Sequence, residues 1–434
     1  MSLTAVAIIA IVVFLVLIML GMNIGFALML VGFVGYAVVV NPTAAIGVLR
    51  TIPATQASSY TLMVVPMFVI MGNFAFEAGL SEGLYAAGSK WLSRLPGSLA
   101  CGTVAACAGF GAICGSCAAT AATMGTISIR EMRKYGYSDK LSCGTVAMGG
   151  TLGVMIPPST SMVVYAIMAE CSIGALFAAG VLPGIMLAAL CILTIVIWVR
   201  LDPTLAPATQ KYSWKERFSS LKGLVWVVLL FGVVLGGMFA GFFTVNQASA
   251  VGAVLSMLIA LVRHRLNREV FVRVIRTSIK TAAMTFLILI GAAVFCKFLA
   301  ITGLPAKLAA AIAGMNVSKY VVILIMTLIY LFLGAIMDEL PMIMLTVPIF
   351  LPIVEALGFN AIWFGIYVVL VMELGAITPP VGLNCFVISG VARDVSLGTI
   401  YRGVLPFCVT ILVAICIVTA VPQIPMILPN LFFG

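Results

Sequence analysis

Gly375-Ala376-Ile377-Thr378-Pro379-Pro380 follows Gly153-Val154-Met155-Ile156-Pro157-Pro158 at an offset of about 223 residues. Each stretch lies inside a long apolar run, 361–391 and 141–170. Each must interrupt its helix there, because proline has no N–H to give and its ring clashes with the preceding turn. Two further matches keep the offset to within one residue: Gly111-Ala112-Ile113 with Gly334-Ala335-Ile336, and Val181-Leu182-Pro183 with Val404-Leu405-Pro406. The chain is therefore duplicated. Each half reads helix, hairpin, helix broken at Pro-Pro, helix.

The surrounding composition says what medium these halves occupy. Of 434 residues, 63% are hydrophobic and only 8% charged; a soluble domain carries about 25% charged residues. Apolar runs fall at 4–20, 24–40, 62–79, 97–129, 141–170, 176–199, 223–241, 244–262, 281–300, 319–357, 361–391 and 403–422. A spanning helix needs about 20 residues, so the chain reads as an all-α polytopic membrane protein. Met1–Leu20 lacks a basic n-region and reads as a retained helix. The net charge of +10 sits in short loops between spans, where the positive-inside rule places it, and not in a nucleic-acid-binding surface.

Charge parity orients the repeats. Lys90 and Arg94 precede the run 97–129, and Arg130, Arg133, Lys134 and Lys140 follow it, so both flanks face the cytoplasm and the run enters and returns as a re-entrant hairpin. Two short full spans would give the same parity. Two crossings later comes another basic stretch (Arg200, Lys211, Lys215, Arg217, Lys222), and two more lead to Arg263, Arg265, Arg268, Arg273, Arg276 and Lys280. In this last stretch Val270, Phe271, Val274, Ile275 and Ile279 recur at helical spacing, which predicts an amphipathic helix on the cytoplasmic interface. Trp91, Trp198, Trp226 and Trp363 fall where an interfacial aromatic belt is expected. Five crossings separate equivalent helices (62–79 and 281–300), and an odd number inverts one repeat relative to the other. Inverted repeats with discontinuous helices at the midplane mark secondary transporters. The organisation expected is N-terminal scaffold helices over 1–61, a first repeat over 62–200, a linking segment over 201–280, a second repeat over 281–422 and a tail over 423–434.

The breaks and hairpin tips supply the candidate site. Freed carbonyls around Ile156-Pro157-Pro158 and Gly375, Thr378, Pro379 and Pro380 can ligate Na+, and helix N-termini can meet an anion. Ser159 and Thr160 follow the first break, and Gly382 and Asn384 the second. The first tip offers Gly115, Ser116 and Thr120. The second, beyond Gly334, offers Asp338, Glu339 and Pro341, and ionisable residues at depth are functional candidates. Na+ ligation is expected mainly from backbone carbonyls near Gly115, Ile156, Gly334 and Thr378. Glu373 is a further candidate, with pairing to a scaffold Lys or Arg as its structural alternative. Eleven Cys lie in apolar segments and form no disulfide framework. Cys114 and Cys117 have C-x-x-C spacing, which leaves a membrane redox enzyme as a remote alternative. With one His and no Gly-rich phosphate loop, the chain carries no recognisable enzyme motif and no cofactor is expected.

These residues resemble the large membrane subunit of TRAP (tripartite ATP-independent periplasmic) transporters. The resemblance rests on Gly150-Thr151-Leu152-Gly153-Val154-Met155-Ile156-Pro157-Pro158-Ser159 and on Gly375 through Asn384, with Ala118–Gly125, Pro341 and Thr346-Val347-Pro348 in support. The family usually has Ser where this chain has Cys114 and Cys117, which favours a small-residue role for both. The resemblance implies import of a small organic anion (a carboxylate such as a C4-dicarboxylate, or a sulfonate) driven by Na+ as coupling ion. It also implies an elevator-type mechanism in the bacterial inner membrane, a periplasmic substrate-binding protein and a small four-helix membrane subunit, here expected as a separate polypeptide. A standalone Na+–anion symporter without a binding protein shares the two-hairpin plan and stays open.

Overall fold

The computed structural model describes residues 2–207, 212–314 and 318–433; Lys211 lies outside them. The described residues are helical, without strands. The chain opens with α1 (Leu3–Met19), α2 (Ile24–Val39), α3 (Pro42–Ala57), α4 (Val64–Glu77) and α5 (Leu80–Trp91). The first hairpin is α6 (Ser98–Cys114) and α7 (Cys117–Lys134), the first broken helix α8 (Asp139–Met155) and α9 (Thr160–Met168), and α10 (Ile173–Leu201) closes the half. Between the halves lie α11 (Trp214–Ser220), α12 (Val225–Phe231), α13 (Gly237–Phe239) and α14 (Val245–Val262). The second half runs α15 (Arg268–Thr302), α16 (Leu304–Gly314), the hairpin α17 (Lys319–Gly334) and α18 (Glu339–Ala356), the broken helix α19 (Ala361–Ile377) and α20 (Leu383–Val391), then α21 (Leu397–Ala420) and α22 (Gln423–Phe433). Five helices are long and apolar enough to cross a membrane, or eight if each bent pair is one span.

The order α5-hairpin-broken helix-long helix in the first half recurs as α16-hairpin-broken helix-long helix in the second. One difference separates the halves. α3 and the segment Thr61–Glu77 meet at a bend of 58°, whereas α15 runs unbroken for 35 residues. The segment expected as a separate interfacial helix before residue 281 is thus the first third of α15. No Gly or Pro stands between Arg268 and Ile290 to end it, so the apolar stripe simply continues into the span. The stretch 423–434, expected as a tail, contains α22.

Small residues set how closely the helices approach. A Cβ on Gly32 of α2 would stand 2.7 Å from the backbone N of Phe295 on α15, so α2 and α15 meet backbone to backbone, as small residues permit in lipid. α14 packs on α4. The second group of helices mixes both halves: α8 packs on α21 through Gly144 and Gly403, and α10 packs on α19 and α21. Arg133 at the end of α7 pairs with Asp394 after α20 at 2.8 Å. Charge parity assigns both to the cytoplasmic side. Glu77–Arg273 (2.9 Å) and Glu82–Arg265 (3.2 Å) join segments that parity also assigns there.

Trp363 departs from the aromatic-belt expectation. It is 1% exposed, stacks on Phe359 and Tyr367, and donates its indole N–H to the Val418 carbonyl at 2.9 Å. The interior of the second group needs a large side chain there, and the indole finds its partner inside the protein.

Candidate functional site: the hairpin tips and helix breaks

Gly115 ends α6 in the left-handed region (φ 63°), which a glycine adopts without strain, and Ser116 is extended before α7. The turn brings the Gly115 carbonyl to Thr160, whose hydroxyl donates to it at 3.0 Å. The first tip is thereby tied to the start of α9. Ser159 caps that helix by accepting from the Met162 N–H at 3.3 Å, as Ser does at an N-terminus. Ile156 is extended, and Pro157-Pro158 has a cis peptide bond, as does Pro379-Pro380.

The second half repeats this arrangement with different side chains. α17 ends at Gly334, which packs directly on Gly375 of α19. Asp338 caps α18 by accepting from the Glu339 N–H at 2.8 Å, and Pro341 lies in the first turn, where its missing N–H costs nothing. At the break, Thr378 is extended and its hydroxyl donates to the Leu374 carbonyl at 2.6 Å. Gly382 takes φ 56° before α20, and Asn384 donates its amide to the Ala147 carbonyl at 3.1 Å, linking the second break to α8. The Pro380 and Val381 carbonyls accept from the Tyr401 hydroxyl, each at 2.7 Å.

The two tips meet. Cys117 donates its thiol to Glu339 Oε2 at 3.5 Å and to the Thr151 carbonyl at 3.7 Å. Both Cys114 and Cys117 are free thiols. Tips and breaks of both halves therefore converge, although their residues lie more than 200 positions apart in sequence.

Beside the tips is a cavity of about 480 Å³. One wall is formed by Cys114, Ser116, Ala119, Thr160, Asp338, Glu339, Leu340 and Pro341, and the other by Asn73 of α4 with Thr277, Lys280, Thr281 and Thr285 of α15. Asn73 donates to the Ser278 hydroxyl at 2.8 Å, which fixes α4 against α15 on that wall. Of the candidates read from sequence, Ser116, Thr160, Asp338, Glu339 and Pro341 line this cavity. Gly334 and Glu339 line a smaller one nearby with Cys117. Thr120, Ser159, Gly375 and Asn384 are buried and line neither cavity.

Sequence reading missed Asn73 and Lys280. Asn73 was detectable as an isolated polar residue in the run 62–79. Lys280 was read as one more charge of a cytoplasmic basic segment, and only the continuity of α15 carries it to the cavity.

Among the described residues, Asn384 Oδ1 is buried without a hydrogen-bond partner, and Thr120 Oγ1, Ser161 Oγ and both Glu373 oxygens have none of good geometry. Buried polar groups are normally paired. These oxygens, and the carbonyls that the prolines leave without donors, are hard ligands by chemistry.

This architecture has known counterparts. The sequence profile of the DctM component of the tripartite ATP-independent periplasmic transporters matches residues 11–424. The chain belongs to the TRAP transporter family. It is similar to the C4-dicarboxylate TRAP transporter large permease protein DctM of Pseudomonas aeruginosa, with 37% identity over 86% of each chain. It is likewise similar to the sialic acid TRAP large permease protein SiaM of Vibrio cholerae, with 31% identity over 95% of this chain and 96% of that one. Among solved structures, the YdaH transporter of Alcanivorax borkumensis shares the fold at a TM-score of 0.63 and 14% identity, covering 89% of this chain and 90% of that one. This TRAP large permease subunit is a multi-pass membrane protein of organic-acid transport, not an enzyme. The redox reading of Cys114 and Cys117 ends with that membership. The family works with a substrate-binding protein and usually a small membrane subunit.

Proposed function

We propose that this subunit imports a small organic anion by Na+ symport, in the bacterial inner membrane, after a periplasmic binding protein delivers it. The observation that carries this reading is the cavity between the converged tips and the α4–α15 wall. Lys280 supplies the cation for a carboxylate or sulfonate, the Thr hydroxyls of α15 supply donors, and the small residues of the first tip leave room for the ligand. Asp338 and Glu339 bring negative charge to the same cavity, and bound Na+ supplies the countercharge that lets an anion approach them. Gly115, Ile156, Gly334 and Thr378 would hold Na+ through backbone carbonyls. Helices α2, α4, α14 and α15 then act as a fixed scaffold and the tip-and-break helices as the moving elevator unit. A C4-dicarboxylate is the first candidate substrate, because the most similar relative described above is named for that class.

The test is uptake into proteoliposomes holding this chain, its small partner subunit and its binding protein. Radiolabelled C4-dicarboxylate would be challenged with unlabelled sulfonate and sialic acid under an inward Na+ gradient. Uptake displaced by one class identifies the substrate. Uptake equal with K+ in place of Na+ contradicts the coupling.

A further inference from the structure

Glu373 lies four residues before the end of α19 at Ile377, is 1% exposed, and among the described residues has no side-chain hydrogen-bond partner on either carboxylate oxygen. It stands beside the backbone of Met155, at the end of α8. Glu339, Cys117 and Cys191 are within its electrostatic reach, and none carries positive charge. Among the described residues, no ion pair reaches it. Pairing with a scaffold Lys or Arg is thus not what keeps an acid here.

The local backbone makes the position more demanding. α8 and α19 both end here, and a helix C-terminus carries the negative end of its dipole. Pro157 and Pro158 have no N–H for the carbonyls of Gly153 and Val154, and Pro380 has none for that of Ala376. The Glu373 carboxyl thus lies near the ends of two helices, away from water. Buried charge is tolerated when it is paired or coordinates a metal.

We propose that Glu373 is the fixed negative charge of a Na+ site between the ends of α8 and α19, and that it acts with the proline-freed carbonyls. The proposal rests on the Na+-coupled reading above and deepens it. The ion gains a side-chain ligand, where the motif pattern suggested backbone carbonyls alone.

Thermal unfolding of the purified full chain tests this, with NaCl exchanged for choline chloride at constant ionic strength. The native midpoint rises with Na+, as any ligand of the folded state requires. Glu373→Gln removes that rise. Glu373→Asp keeps a Na+-dependent rise with affinity lowered roughly tenfold. A Glu373→Gln chain with the native Na+ response overturns the assignment and leaves Na+ coupling standing. A native chain indifferent to Na+ overturns both. If Glu373→Gln does not fold, Glu373→Asp decides, and undiminished Na+ affinity in it overturns the proposal.

Discussion

Gly334 and Gly375 pack so closely that a Cβ on Gly375 would stand 2.8 Å from the Gly334 Cα. Gly111 and Gly153, their equivalents in the first half, make the same contact. In both halves a hairpin arm and a broken helix are thus joined where neither can carry a side chain. Gly375→Ala should cost about 1–3 kcal/mol, the usual penalty of overpacking, and Gly153→Ala the same. Gly398→Ala, in α21 with open space around its Cβ, is the control and should leave the unfolding midpoint unchanged or raise it slightly, since Ala is the better helix former. Thermal unfolding in detergent measures all three.

The Thr160 hydroxyl is a side-chain link between the first tip and the start of α9. Thr160→Val keeps the shape and removes the donor. The expected loss is about 1 kcal/mol of stability, and a larger relative loss of transport, since tip and break must move together. Thr160→Ser should restore both. Uptake rates normalised to folded protein would show it.

Lys280 supplies the positive charge for the substrate in this account. Lys280→Met should lower apparent affinity for the anion by about tenfold or more, the value of one charge-assisted hydrogen bond. Lys280→Arg should recover part of it. An unchanged KM in Lys280→Met would remove Lys280 from the site.

Where α7 ends and α20 is followed by Asp394, the Arg133 guanidinium holds the Asp394 carboxyl below its usual range. A carboxylate favoured by folding contributes fully above the ordinary Asp value, about 3.9. Its contribution fades as pH falls through the depressed value. Asp394→Asn should therefore lower the unfolding midpoint slightly at neutral pH and converge with the native chain in acid. Asp394 is exposed, so high salt should shrink the difference. Midpoints across a pH series at two salt concentrations check the sign.

What was legible in the sequence was what proline and charge impose locally. Pro157-Pro158 and Pro379-Pro380 interrupt any helix regardless of its surroundings, and their matching positions exposed the duplication. Arg133 and its neighbours marked one side of the membrane without reference to packing. Residues whose role depends on a partner were harder to read. Lys280 looks like any loop cation until α15 is seen to run unbroken. Trp363 looks interfacial until Phe359, Tyr367 and the Val418 carbonyl enclose it. α3 was passed over because Arg50, Thr51, Pro53 and Gln56 dilute its apolar pattern. Glu373 stood out as an acid near a break, but its lack of a cationic partner among the described residues is a three-dimensional fact.

The most direct test of the central claim is the initial rate of anion uptake in proteoliposomes of this chain and its small partner subunit, with the Na+ gradient and the binding protein each present or withheld. The account predicts uptake only when both are present. Uptake without the binding protein would place the chain among standalone symporters, and uptake without Na+ would contradict the coupling on which the proposed site is built.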